Sequence, residues 1–402
     1  MPEVGYQMLV KNLSGGYLTF DIRTSAKSMN ENIRSLFPAA GKYAYLNSAA
    51  VAPLPTVAVE AVHRQLKDVS ENGSANFTDW IATKQRAREL VASMLNVSAE
   101  QIAFLRNTSD GLASVANGLK WQKGDNIVSF AREFPANFYA WRRVRDNFDV
   151  ELRLCPERDG RIDLDEFINL IDENTRLVSI SAVQYDSGFR ADLERIGRAA
   201  RMVDALFAVD IIQGFGAMPF DLPAQFVDIA AGASHKWLCS PEGCGLLYLS
   251  ERARMRVEPT LVGWISVDVP WDFENPEQPF KPNALAWESG TGGSALFYGL
   301  EQSLKLLSET GAEKIENYLE ELSDYLCELL AGKNYEIVSS RAKGEKSQIV
   351  CIKNLAGLTS NEIAGRLENE NIIVSPRGSR LRIAPHFFNN REDIDRLVEV
   401  LP

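Results

Sequence analysis

An aspartate and a lysine, 26 positions apart, are the residues around which this chain is arranged. A short apolar run, 206–209, ends on Asp210. A second run, 226–231, leads to Ser234, His235 and Lys236, and a third, 244–249, follows a Pro/Gly-rich bend at 241–243. Apolar runs of this length bounded by turn residues read as buried strands. Strands that end on polar residues are how open α/β sheets present chemistry at their carboxyl edge. A lysine amine held near a carbonyl compound can form a Schiff base once burial or neighbouring positive charge lowers its pKa. A carboxylate placed beside it can keep a ring nitrogen protonated.

Pyridoxal phosphate needs both groups, with Lys236 as the amine and Asp210 as partner of the pyridine nitrogen. Ser234 and His235 are candidate donors to its phosphate. The segment SHKWLCSPEG, with Asp210 upstream, resembles the class V aminotransferase family of fold-type I pyridoxal-phosphate enzymes. That group includes cysteine desulfurases, selenocysteine lyases, kynureninases and isopenicillin N epimerase. The resemblance runs from about 45 to 401 and implies a large domain with a mainly parallel sheet between helices, plus a small α/β domain.

Other stretches fall in the order this family uses. QIAFLRNTSDGLASVANGL is a strand feeding a helix start, where free N–H groups and the dipole favour an anion. The resemblance puts the cofactor phosphate there, on Thr108 and Ser109. In NIVSFAREFPANFYAW the residue expected to stack on the ring is Phe134, after Glu133; desulfurases carry a histidine at this place. An aromatic face stacks but shuttles no proton. Gln184 and Gln213 are two candidates for contact with the cofactor's phenolic oxygen. Asn47, in YLNSAAVAPLP, is a candidate substrate contact. A Gly290-Thr291 pair in WESGTGGSALF is expected to reach the phosphate of a neighbouring subunit, which implies a homodimer with shared sites. In SRLRIAPHFFNN, Leu381 and Ile383 share one strand face and Arg380 and Arg382 the other. Arg382, followed by Pro385, His386 and Asn389, matches the family's holder of the substrate α-carboxylate, for which a planar guanidinium is suited.

The elements that must position these groups are legible in outline. Strands alternating with helices between about 100 and 250 predict a mainly parallel sheet covered on both faces. Helices are expected near 56–71, 77–95, 312–330 and 360–369, and short strands near 335–339 and 348–353. Residues 1–44 read as an arm or part of the smaller domain, with a short helix near 26–36. Residues 45–285 form the large domain and 286–402 the small one.

Composition excludes other classes. Of 402 residues, 45% are apolar and 24% charged, as in a globular protein with a large core. A net charge of −11 without a basic run disfavours nucleic acid and anionic membrane surfaces. No apolar stretch approaches the roughly 20 residues of a membrane span, and the first residues lack the pattern of a signal peptide. Five cysteines without framework spacing fit a reducing cytoplasm. Three histidines leave little material for metal sites or serine triads, so no metal is expected. No P-loop or G-x-G-x-x-G occurs.

The span 374–381, where desulfurases carry a persulfide cysteine, has none here, which argues against a persulfide relay. Three functions stay open at this level. The first is transamination of an α-amino acid through a Lys236 Schiff base, and the second is a β-eliminating C–S lyase. The third is a catalytically silent protein that keeps the fold for binding.

Overall fold

The computed structural model describes residues 7–11, 17–21 and 26–402, with side chains from 31 onward. Seven strands form the central sheet: β1 Ile102–Leu105, β2 Asn126–Phe130, β3 Glu151–Cys155, β4 Thr175–Ser181, β5 Leu206–Asp210, β6 Ile229–Ala233 and β7 Gly245–Leu249. Their spatial order is β1-β7-β6-β5-β4-β2-β3. β6, β5, β4, β2 and β3 run parallel to one another, while β7 is antiparallel to both β6 and β1. The exception has a physical cause. Only residues 234–244 join β6 to β7, fewer than a crossover helix requires.

Every residue of β5 and β6 is buried, as expected of strands covered on both sides. Alternation divides them between two cores: Phe207 and Val209 join one apolar cluster, Leu206 and Ala208 the other. Helices α1 Thr56–Asn72, α2 Phe77–Met94, α3 Thr108–Gly118, α4 Ala136–Phe148 and α5 Leu193–Met202 occupy the expected places. Asn76 sits at the start of α2 but makes no cap bond; its amide donates to Asp68 at 2.6 Å instead. A further helix, α6 Ser294–Thr310, packs on α1 and α2.

A second, four-stranded sheet is built from β8 Tyr335–Ile337, β9 Val350–Asn354, β10 Ser375–Arg377 and β11 Arg380–Ile383, in the order β8-β9-β11-β10. Its apolar face packs in a third core under helices α7 Ala312–Leu330, α8 Ser360–Asn369 and α9 Arg391–Val400. Asn390 and Asp393 form the capping box that starts α9. Leu381 and Ile383 enter that core, so Arg380 and Arg382 project to the other face. A hairpin of Gln7–Lys11 with Tyr17–Asp21, and a helix at Ala26–Ser35, precede these elements. Residues 44–45 pair in parallel with 372–373, and Asn47 bridges Ala384, which ties the opening segment to the second sheet. No helix among the described residues is long and apolar enough to cross a membrane.

Parallel topology collects the chain's chemistry. Asp210 ends β5 and lies beside Ala231 of β6, which runs on into Lys236. Thr108 follows the carboxyl end of β1, and Phe134 that of β2. All four therefore emerge at one edge of the sheet.

The start of α3 depends on Gly245: a Cβ there would lie 2.4 Å from the backbone nitrogen of Asn107. Gly245→Ala is expected to lower stability by about 1–3 kcal/mol, the cost of forcing backbone apart in a packed interior. Denaturant unfolding of the two proteins measures it.

Candidate active site

At that edge lies a cleft of about 300 Å³. Asp210, Ile212, Gln213, His235 and Lys236 line one side, and Asn107, Thr108 and Ser109 come from the start of α3. Phe134, Tyr185, Arg377 and Arg382 also contribute, with Ala49 and Ala50 from the opening segment. Asn107 caps α3 by accepting from the Asp110 N–H at 2.9 Å. First-turn N–H groups have no intrahelical acceptor and point toward the cleft side of the helix end. The hydroxyl of Thr108 is buried there with no partner.

Lys236 is 8% exposed and Asp210 1%. Burial pulls the lysine down from 10.5 to about 8; Asp210 opposes this, and Arg382 and Arg377 add to it. Burial pushes Asp210 up to about 6, against a hydrogen bond from the Ile212 N–H at 2.9 Å and the charge of Lys236. Each group thus keeps part of its charge because the other is there. The Lys236 ammonium lies 5.4 Å from the ring centroid of Phe134, a cation–π distance. Phe134 is 40% exposed and packs edge-on against Tyr185, with centroids 5.2 Å apart.

Loop 235–240 is braced from behind. His386 is fully buried; its Nε2 donates to the Trp237 carbonyl at 2.9 Å and its Nδ1 accepts from the Phe387 N–H. Burial lowers its pKa to about 4, which keeps the ring neutral as those bonds require. The Trp237 indole donates to Gln213 at 2.8 Å, and the Gln213 amide donates to the Ala49 carbonyl at 3.0 Å.

Arg382 is 1% exposed. Its Nη1 donates to the Tyr185 carbonyl at 3.0 Å, whereas Nε and Nη2, which share one edge of the guanidinium, have no partner. Burial and the nearby Arg377 lower its pKa to about 10. Two unpaired buried donors on one edge are matched by a carboxylate.

Three expected site residues lie off the cleft wall. Ser234 donates its hydroxyl proton to the Pro241 carbonyl at 2.6 Å. The Gln184 amide donates at 2.9 Å to Glu133, a fully buried carboxyl whose burial pushes its pKa up to about 7. Asn47 bridges Ala384 with its side-chain oxygen buried and unpaired. Gly290 and Thr291 line a second cleft with Trp264 and Trp271. Arg377, Tyr185 and Asn107 are cleft residues that pattern reading passes over. For Arg377 a signal existed in its place five positions before Arg382, across a glycine turn.

In the cofactor-free protein, modification of Lys236 by an amine-reactive reagent should be half-maximal near pH 8. Only the neutral amine reacts, so the rate falls as pH drops below that value. Asp210→Asn removes a stabilising negative charge and should move the midpoint down; Arg382→Met removes a repelling positive charge and should move it up. Peptide mass spectrometry across pH reads all three.

Residues 44–397 match the family model of class V aminotransferases. A probable cysteine desulfurase of Methanothermobacter thermautotrophicus is 29% identical, over 92% of this chain and 97% of that protein. An uncharacterised aminotransferase of Bacillus subtilis is 24% identical, over 92% and 96%. Among solved structures, the apo cysteine desulfurase of Thermococcus onnurineus shares the fold with a TM-score of 0.84 at 23% identity, covering 92% of this chain and 96% of that one. A cystine C–S lyase in complex with cysteine persulfide gives a TM-score of 0.83 at 23% identity, over 91% and 100%. With a family match across most of its length and a fold-type I architecture, this chain belongs to the class V aminotransferase family of pyridoxal-phosphate-dependent enzymes.

Proposed function

We propose that the protein is an aminotransferase of α-amino acids in which Lys236 carries the cofactor and moves the substrate's Cα proton. The observation that carries this reading is the meeting of Lys236 and Asp210 in one desolvated cleft, beside the two unpaired donors of Arg382. The residues present fit pyridoxal phosphate. Lys236 would bond its aldehyde carbon, Asp210 pair with its ring nitrogen, and Phe134 cover its face. Thr108, Ser109 and His235 would meet its phosphate, for which the unpaired Thr108 hydroxyl is suited. Gln213, which lines the cleft, would contact the cofactor's phenolic oxygen. Bound there, the cofactor supplies an electron sink for the charge that develops at Cα.

The chain's own groups then divide the work. Arg382 takes the α-carboxylate on its Nε/Nη2 edge and so fixes which bond to Cα stands free for reaction. Lys236, with a pKa near 8, is matched to accept and return a proton close to neutrality. Phe134 has no proton to exchange, so it orients without competing for that role.

A second reading, a C–S lyase, is supported by the relatives described as cysteine desulfurases. A persulfide relay is disfavoured in either case. None of the five cysteines lines the cleft, and burial raises all of their thiol pKa values, to about 11 for Cys155 and about 12 for Cys244 and Cys351.

The partner reading extends to a second copy of this chain. Thr291 is exposed, and around it stand Trp264, Trp271 and Phe273, between 40% and 74% exposed. Large exposed aromatics grouped on one surface favour burial in an interface. A homodimer would cover them and bring Thr291 toward the neighbouring phosphate site. The two sheets are read as the cores of two domains, 45–285 and 286–402, with 1–44 as an arm or part of the smaller domain; five free cysteines support a reducing cytoplasm.

Incubating the holoenzyme with an amino-acid panel tests the reaction. Keto-acid formation that needs an added keto-acid acceptor supports transamination; pyruvate and ammonia released without one identify the lyase. Trp271→Glu should shift the protein from dimer to monomer in light scattering and weaken retention of the cofactor on gel filtration. A parent protein that is already monomeric overturns the dimer.

A further inference from the structure

Three arginines share one face of the second sheet. β10 and β11 form a hairpin in which Arg377 stands opposite Arg380, and Arg382 follows two residues on. Cross-strand partners and residues two apart lie on the same side of a sheet. The register is held by the two-residue connection Gly378-Ser379, whose glycine has φ of 58°, as the first position of a tight hairpin turn demands. All three guanidiniums therefore lie on the side of the sheet away from its apolar core, and Arg377 and Arg382 line the cleft.

Their counter-charges differ. Arg380 is neutralised, bonding Glu157 through both ends of its guanidinium and lying 3.6 Å from Asp186. Arg382 forms no ion pair among the described residues, and its free edge suits the α-carboxylate. Arg377 forms none either: its Nη1 donates only to the Pro376 carbonyl at 2.8 Å, and the half-buried side chain lines the cleft beside Arg382 and Lys236. Two unneutralised guanidiniums repel each other in a partly desolvated cleft, and one monocarboxylate answers only one of them.

Resting on the reading of the cleft as an α-amino-acid site, we infer that the substrate carries a second anionic group on its side chain. Arg377 holds that group, which makes it a specificity-determining residue. The class is a dicarboxylic α-amino acid, or one whose side chain ends in a sulfinate or sulfonate. A planar guanidinium recognises any of these through paired N–H donors. The other anion within reach of this chemistry is the cofactor's own phosphate, and the experiment separates the two.

The holoenzyme's absorbance band is titrated with L-aspartate and L-glutamate and with their amide isosteres L-asparagine and L-glutamine; the shift gives each dissociation constant. The acids are expected to bind about tenfold or more tighter than the amides, the worth of one charge-assisted bond. Arg377→Gln should bring that ratio close to one, while Arg377→Lys, which keeps the charge and serves as the folding control, retains part of it. Equal binding of acids and amides by the parent overturns the inference and leaves the amino-acid reading standing. A ratio that survives in R377Q while the variant loses cofactor on gel filtration overturns it in favour of the phosphate. If none of the four moves the band, the inference falls, and the wider amino-acid panel decides the reading of the cleft.

Discussion

Burying a lysine and an aspartate together is the constraint from which the site's other features follow. Neither group can be taken from water alone without losing its charge, and each is stabilised by the other at the edge of a sheet whose strands are otherwise apolar. The arrangement requires two adjacent parallel strands that end at the same level, which β5 and β6 provide. It also requires a loop after β6 stiff enough to aim the lysine. The neutral His386, Trp237 and Gln213 supply that stiffness through hydrogen bonds reaching from the second sheet to the opening segment.

Charge also joins the two sheets. Asp186, on the loop after β4, meets both Arg132 and Arg380, and Glu157 meets the same two arginines. Arg132 lies two residues before Phe134, and Arg380 two before Arg382. One four-membered network, of which Asp186, Glu157 and Arg380 are largely buried and Arg132 is half-exposed, therefore links the residue that covers the cleft to the residue that closes it. Removing the buried Asp186 would leave each arginine with Glu157 alone, a larger loss than that of an exposed pair.

Much of this was legible beforehand. Short β-rich runs bounded by glycine and proline mark β5, β6 and β7, and period-2 alternation separates Arg382 from Leu381. The helices at 312–330 and 360–369 are read from apolar spacing alone. Other features escaped for definite reasons. The antiparallel course of β7 follows from a connection too short for a crossover, which strand composition does not reveal. The amide of Gln184, expected near the cofactor's phenolic oxygen, donates to the buried Glu133, a partner 51 positions away that only the fold brings to it. The hydroxyl of Ser234, expected as an anion donor, meets the Pro241 carbonyl of the bend at 241–243, a contact that only the folded loop creates. The place of Arg377 beside Arg382 depends on strand register, not on residue type.

The order and kind of the chemical groups are thus written in the chain itself: which residues can carry an amine, an acid, a ring face or a guanidinium, and which strand ends deliver them. Their pKa values, their pairing and the two unanswered arginines belong to the tertiary structure. The physical reason is that desolvation and Coulomb energy depend on distances between residues remote in sequence, such as Lys236 and Arg377, and only the packed sheets determine those distances.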